Sequence, residues 1–317
     1  MPSRLQSCLL SIMHKATLLS VVALVVGCDA NSEPLAKAAP ERVSIAVTSY
    51  PLLVMAEAMV GSAVDVELVV SGDFISPAWK PTADAIQAMQ RATRTLVSGG
   101  DYEPWLQRVT VPRSRLIDTA QGHYDQFIRI PDAVLHQHGP EGGHSHPGVV
   151  WATWLDPRLA ISQLEQTRDV LLKVSPDSEA VIRSAADAMN QEFRQLDERL
   201  EKLAAASADA DITVLGDAPV YQYLTARLGW NLNYVHVPMR GSVLEKDRKS
   251  LQNAVEERQP TVVFVRSSLA SEFAGLQGGR EIPFVLIDLC VLPDDGQNLV
   301  QRMTANLDSI EKILTVD

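Results

Sequence analysis

Four histidines stand close together in the segment His136-Gln137-His138-Gly139-Pro140-Glu141-Gly142-Gly143-His144-Ser145-His146. They form two His-x-His pairs, and the Gly and Pro residues between the pairs favour a turn. Neutral imidazole suits Zn²⁺, Cu²⁺ and Ni²⁺, and a spacing of two residues on a strand places both members of a pair on one face. The pattern predicts a metal-binding loop that uses His136, His138, His144 and His146. A solvated loop that binds metal weakly, or captures it for a better site, is the alternative at this point.

Patterns typical of enzymes are absent from the sequence. It contains no His-Glu-x-x-His helix, Gly-x-Ser-x-Gly elbow, Walker loop or Gly-x-Gly-x-x-Gly fingerprint. A hydrolytic metalloenzyme would also need an open metal position and a positioned base, and no residue is a candidate for that base. We therefore expect a binding protein and not an enzyme. His123 and His236 are expected to make local hydrogen bonds, and the following tryptophans to line the core or a cleft: Trp79, Trp105, Trp151 and Trp154.

The N-terminal segment has the pattern of an export signal. Arg4 and Lys15 precede an apolar run at 16–26, which is too short for the roughly 20 residues that a membrane-spanning helix needs. Gly27 and Cys28 follow this run as in a lipobox. We predict a signal peptide over 1–27, with Met13 as an alternative start, and lipid on Cys28. Residues 28–42 would form a flexible tether, and the protein would lie on the periplasmic side of a bacterial membrane.

Cysteine content and charge narrow the class of ligand. Only Cys290 falls in the expected folded body, so neither an internal disulfide nor a closed zinc site combining Cys with His is expected. The formal charge of the chain is −11, and loss of Arg4 and Lys15 with the signal peptide makes the body more acidic still. An acidic body without basic blocks argues against nucleic acid and suits a cationic ligand.

Hydrophobic patterning predicts an α/β protein of two βα-type lobes joined by a long rigid helix, with the ligand cleft between the lobes. Strands and helices alternate over 43–157 and again over 206–317, whereas helical periodicity dominates 158–205. In the second part of this connection the following apolar residues recur three or four apart and are expected to share one face: Val181, Ala185, Met189, Phe193, Leu196, Leu200 and Leu203.

Several short motifs together resemble the zinc and manganese receptors of ABC importers. Besides the lipobox and the histidine loop they are Tyr50-Pro51-Leu52, Pro77-Ala78-Trp79-Lys80-Pro81, Tyr102-Glu103-Pro104-Trp105-Leu106, Trp154-Leu155-Asp156-Pro157, Pro219-Val220-Tyr221-Gln222-Tyr223-Leu224 and Asn306-Leu307. The resemblance spans nearly the whole chain after Cys28. It implies two α/β lobes, a rigid connecting helix, and a metal held in the cleft by three histidines and one carboxylate. It also implies a monomer that delivers the metal to a membrane permease.

The chain departs from this family at the ligand positions. Where the family has its three histidines, this chain has Ala78, Thr153 and Ala218, and only the carboxylate aligned with Asp288 survives. One expectation is that the four loop histidines and Asp288 form an alternative site. Zinc is then the first choice, because manganese prefers more oxygen ligands. The other is a degenerate paralogue without a cleft metal, acting as a scaffold or a weak metal scavenger.

Overall fold

The computed structural model describes residues 43–70, 77, 79–137, 143–239, 243–273, 282–293 and 296–315, and for 130–137 and 143–147 it describes the backbone. The predicted signal peptide, Cys28 and the tether lie outside these residues, as do Ala78 and His138. Within the described ranges no helix is both long enough and apolar enough to cross a bilayer. All described residues belong to one compact unit.

The first sheet has four parallel strands in the order β2-β1-β3-β4. They are β1 (Ser44–Val47), β2 (Asp65–Leu68), β3 (Arg94–Val97) and β4 (Leu116–Asp118). Helix α1 (Tyr50–Val60) follows β1 and α2 (Ala83–Arg91) follows β2. Ser49 and Thr82 cap these helices by accepting backbone N–H groups, which satisfies donors that a helix start leaves unpaired.

The second sheet repeats this arrangement, with four parallel strands in the order β10-β9-β7-β8. They are β7 (Thr213–Gly216), β8 (Asn231–Tyr234), β9 (Val262–Arg266) and β10 (Phe284–Ile287). The described helices after β7 are α5 (Gln222–Leu228), α6 (Glu245–Arg258), the short α7 (Ala270–Phe273) and α8 (Leu299–Leu314). The predicted fold of two βα lobes is therefore confirmed, while the exact lobe boundaries stay a prediction.

The connection between the sheets consists of two helices, α3 (Pro157–Val174) and α4 (Glu179–Ala206), separated by a short turn at Pro176–Ser178. Helix α4 packs against α1 of the first lobe and against α5 and α8 of the second. Arg227 of α5 adds ion pairs to Asp156, at 2.7 Å, and to Asp197 of α4, at 2.5 Å. The connection is thus fixed to both lobes by packing and by charge.

The predicted buried face of α4 is wrong at its first turns. Val181 is 61% exposed, and the buried positions there are Ile182 and Ala186. From Met189 to Leu203 the predicted residues are buried as expected. The buried positions are spaced alternately four and three residues apart, which is close to the 3.6-residue repeat of the helix. Successive steps of four, at 181, 185 and 189, depart from that repeat and move away from the buried face.

A separate two-stranded antiparallel hairpin, β5 (Arg129–Gln137) and β6 (Gly143–Val149), leaves the first lobe just before α3. Its base is fixed at the junction of the lobes. The Val149 N–H donates to Asp101 Oδ2 at 2.7 Å, and the Ile128 N–H donates to the hydroxyl of Tyr223 at 3.2 Å. Because Tyr223 belongs to α5, the hairpin is tied to both lobes where it begins.

Candidate functional site

The carboxyl ends of the parallel strands carry the polar residues of both lobes, as expected for open α/β sheets. These edges meet directly. Trp154 Nε1, just before α3, donates to the Leu289 carbonyl at 2.9 Å. The hydroxyl of Tyr50, at the start of α1, donates to the Gln297 carbonyl at 3.5 Å. The lobes are therefore in contact beside the residues that follow β10.

Asp288, the surviving carboxylate, is held by Arg302 of α8. Arg302 Nε donates to Asp288 Oδ2 and Arg302 Nη2 to Asp288 Oδ1, each at 2.6 Å. The Cys290 N–H also donates to Asp288 Oδ1, at 2.8 Å. Arg302 further donates to the Leu292 carbonyl at 2.6 Å, and its guanidinium lies 5.2 Å from the centre of the Tyr50 ring. The carboxylate that the family resemblance assigns to metal thus has a fully formed internal partner.

A second arginine–carboxylate pair lies at the same edge of the second sheet. Arg266, the last residue of β9, donates through Nε to Asp217 Oδ2 at 2.7 Å, and Asp217 is completely buried. The hydroxyl of Tyr221 donates to Asp217 Oδ1 at 2.5 Å. Burial is the main cause of the raised pKa of Tyr221, with the neighbouring Asp217 carboxylate adding to it. Both acidic side chains at this edge are therefore neutralised by arginines of their own lobe.

The positions where the family has histidines offer no imidazole in the described part of the cleft. Thr153 is fully buried, and its hydroxyl oxygen has no hydrogen-bond partner. Ala218 follows Asp217 and is 1% exposed, and Ala78 lies outside the described residues. Among the residues that the structure describes, no group of three or more His, Cys, Asp or Glu is arranged to hold a metal.

The β5–β6 hairpin brings three of the predicted loop histidines into register. His136 stands opposite His144, and His146 stands opposite Val134. Since strand positions alternate between faces, 136, 144 and 146 are positions on one face of the ladder. His138 follows the end of β5 and is outside the described residues. The backbone therefore places three of the four predicted histidine positions on one face of the hairpin.

The tryptophans and the two other histidines singled out in the sequence make packing contacts and hydrogen bonds within the fold. All four tryptophans named above are buried, as expected, and Trp79 and Trp105 pack edge to face at 4.9 Å. His123 is buried, and its Nδ1 lies 3.0 Å from the hydroxyl of Ser162. Burial lowers the pKa of His123. His236 packs against the ring of Tyr234 at 5.4 Å.

Sequence reasoning missed Arg302, although α8 contains the pattern that predicts its role. The apolar stripe of this helix runs through Leu299, Met303, Leu307 and Ile310, and Arg302 lies within the stripe. A cation on a buried helix face needs an acidic partner, because an unpaired buried charge is strongly unfavourable. The only missing information was which carboxylate lies opposite, and that depends on the tertiary fold.

Glu103 is a second polar residue that was not singled out. It lies beyond β3 and is buried. Its two carboxyl oxygens accept the N–H groups of Ser98 and Gly99 at 2.8 and 3.0 Å, and Oε1 lies 2.5 Å from the hydroxyl of Thr48. Desolvation by burial raises the pKa of Glu103 from 4.5 to about 8. The Thr48 hydroxyl donates to Oε1 of Glu103, and it also lies 3.3 Å from the Leu96 carbonyl, a second acceptor.

We expect this carboxyl group to make the free energy of unfolding fall as the pH rises from about 4.5 to about 8. In that window the folded protein keeps the Glu103 proton and the unfolded chain releases it. The slope from one such group is at most about 1.4 kcal/mol per pH unit. Urea unfolding at a series of pH values measures it. Glu103→Gln, which cannot titrate, should remove this part of the slope; identical slopes for both proteins would contradict the assignment.

Comparison with known proteins gives a family match over most of the chain. Residues 45–313 match the family model described as zinc-uptake complex component A, periplasmic. The zinc-binding lipoprotein AdcA of Streptococcus pneumoniae is 27% identical over 191 residues, which is 56% of this chain and 36% of AdcA. The chain thus matches only about a third of the length of this curated relative.

Solved structures show the same fold. The periplasmic zinc-binding protein TroA from Treponema pallidum matches 87% of this chain and 100% of its own, with a TM-score of 0.69 and 14% identity. The solute-binding protein FpvC from Pseudomonas aeruginosa, in complex with Mn²⁺, matches 86% of this chain and 99% of its own, with a TM-score of 0.64 and 18% identity. At these identities the likeness establishes the two-lobed architecture.

Proposed function

Because this chain belongs to the family of periplasmic components of zinc-uptake complexes, we propose that it captures a divalent transition metal, zinc in the first place, for delivery to an ABC importer. The single observation that carries this proposal is the register of the β5–β6 hairpin, which puts histidine positions 136, 144 and 146 on one face. Manganese is the second candidate, since the solute-binding protein FpvC, which has the same fold, was solved in complex with Mn²⁺. No catalytic role is proposed.

The proposed ligands are His136, His138, His144 and His146, with Asp288 as the carboxylate from the second lobe. Three imidazoles and one carboxylate suit four-coordinate zinc, so three of the four histidines suffice together with Asp288. The tie between the hairpin base and Tyr223 of α5 supports a site that both lobes share. Asp288 must share its carboxylate with Arg302 or give up that partner to contribute, so we propose that the imidazoles make the first contacts with the ion.

We further propose that lipid on Cys28 anchors the protein on the periplasmic side of a bacterial membrane. A monomer held by a short tether meets its permease at a raised effective concentration without any additional contact. The acidic composition of the chain supports attraction of cations to this surface.

Zinc titration of the full chain, purified in mild detergent and stripped with chelator, tests the proposal. We expect one-to-one binding with a Kd of about 1 μM or tighter, weakened at least about 100-fold by joint replacement of His144 and His146 with Ala. Isothermal calorimetry measures both. Binding should also weaken as the pH falls below about 6.5, because a protonated imidazole cannot ligate.

The matched control is His236→Ala, which removes an exposed histidine outside the hairpin and should leave zinc affinity unchanged. Millimolar binding that is insensitive both to pH and to the hairpin variant would exclude the receptor. That outcome would favour the degenerate paralogue, a scaffold or weak scavenger, which Thr153 and Ala218 at the family's histidine positions already support.

A further inference from the structure

Three of the four lone-pair sites of the Asp288 carboxylate accept hydrogen bonds from described residues. Arg302 donates to both carboxylate oxygens, and the Cys290 N–H occupies Oδ1 a second time. The backbone around this carboxylate is fixed as well. Asn306 of α8 accepts the Asp288 N–H at 2.7 Å and donates to the Asp288 carbonyl at 2.8 Å. The carboxylate is therefore held in the orientation that matches the planar fork of the guanidinium.

Arg302 is positioned as a fixed part of the fold. Only 6% of its side chain is exposed, and the Leu292 carbonyl and the Tyr50 ring hold the guanidinium from two further sides. The Asp288 side chain is 26% exposed, so solvent and ions reach the carboxylate more easily than they reach the arginine. A bidentate pair with one buried partner is much stronger than a surface ion pair.

The contact with Tyr50 places this pair at the junction of the lobes, because Tyr50 begins α1 of the first lobe and Arg302 lies in α8 of the second. The guanidinium thus supplies a positive charge at the lobe junction beside the one surviving family carboxylate. In the Arg266–Asp217 pair, Arg266 likewise places a positive charge beside Asp217, the other acidic side chain at this sheet edge. The described end of the second sheet presents no unpaired carboxylate to a cation at these two positions.

We propose that Arg302 competes with the metal cargo for Asp288 and is a specificity-determining residue of the site; this inference rests on the proposed function. A metal that binds Asp288 must either share the carboxylate with Arg302 or displace its charge-assisted hydrogen bonds, and in both cases the guanidinium charge opposes the cation. An ion that binds well to imidazole alone loses the least affinity from this competition. Arg302 therefore favours zinc over manganese, which depends more on oxygen ligands.

The test is zinc and manganese titration of the full chain carrying Arg302→Met, measured by calorimetry and by the metal-induced shift in Tm. Met retains most of the apolar stem of Arg while removing the charge. We expect zinc to bind at least about tenfold more tightly than to the wild-type chain, with a larger relative gain for manganese. The gain should disappear in the double variant Arg302→Met with Asp288→Asn, because it depends on the freed carboxylate.

Arg199→Met is the matched control, since Arg199 pairs with Asp308 and Glu311 on the surface, and it should leave both affinities unchanged. If Arg302→Met does not fold, Arg302→Gln retains one amide donor and is expected to give the same direction of change. Suppose that a folded Arg302 variant binds metal no more tightly than the wild-type chain, while zinc binding still depends on His144 and His146. That result would overturn the proposed competition and leave the proposed function standing. Zinc binding that ignores His144 and His146 in the wild-type chain would instead overturn the proposed function and this inference with it.

Discussion

Replacing Arg266 by Ala is expected to lower the free energy of unfolding by about 3–5 kcal/mol, because it leaves a buried carboxylate without its counter-charge. Asp217 is completely buried and shares its oxygens between Arg266 and Tyr221. Arg266 also donates to the Val237 and Pro238 carbonyls, at 3.1 and 3.3 Å. The substitution therefore removes one ion pair and leaves several buried acceptors without a donor.

Urea unfolding followed by circular dichroism at neutral pH measures this loss. Arg183→Ala is the control: Arg183 pairs with Glu179 one turn away on an exposed face of α4, and such pairs contribute about 0.5 kcal/mol or less. Combining Arg266→Met with Asp217→Asn should recover part of the stability, since no uncompensated charge is left. Equal destabilisation by Arg266→Ala and Arg183→Ala would refute the role given to the buried pair.

Phe193→Ala is expected to cost about 3–5 kcal/mol of unfolding free energy, through lost burial and the cavity left behind. Phe193 lies near the middle of α4, is 0% exposed, and belongs to the main hydrophobic cluster that includes residues of both lobes. Because α4 packs against α1, α5 and α8, a cavity here weakens the contacts that hold the lobes to the connection.

Val181→Ala is the matched control for this prediction. It truncates a branched apolar residue of the same helix at a position that is 61% exposed, so a change within about 0.5 kcal/mol is expected. Thermal unfolding of the two variants compares them under one condition. A similar loss for both would mean that α4 is not stabilised by its packed face.

The fold could be predicted from the sequence because its main determinants are local. Alternating apolar strands and helices over 43–157 and 206–317 identify the two sheets. The strand β4 was missed, since three residues at Leu116–Asp118 carry too little pattern to recognise. It is a strand because it pairs with β3, and pairing between distant segments is not visible in a hydrophobicity profile.

The site was predicted less completely, for a related physical reason. The histidine pairs are contiguous in sequence, so their metal chemistry could be recognised from spacing alone. The partner of Asp288 lies on another element, and the family resemblance that points to Asp288 as a ligand contains no information about Arg302. Glu103 was likewise unremarkable in sequence. Its raised pKa results from burial among backbone amides that only the folded chain brings together.

The hairpin leaves the first lobe at Ile128 and returns at Val149, with its two ends fixed by hydrogen bonds at the base. A hairpin attached at its base in this way can change in length and composition without repacking either sheet. Solved proteins that are 14% and 18% identical to this chain share its two-lobed architecture. We infer that the two sheets can keep their packing while the sequence of this ribbon varies.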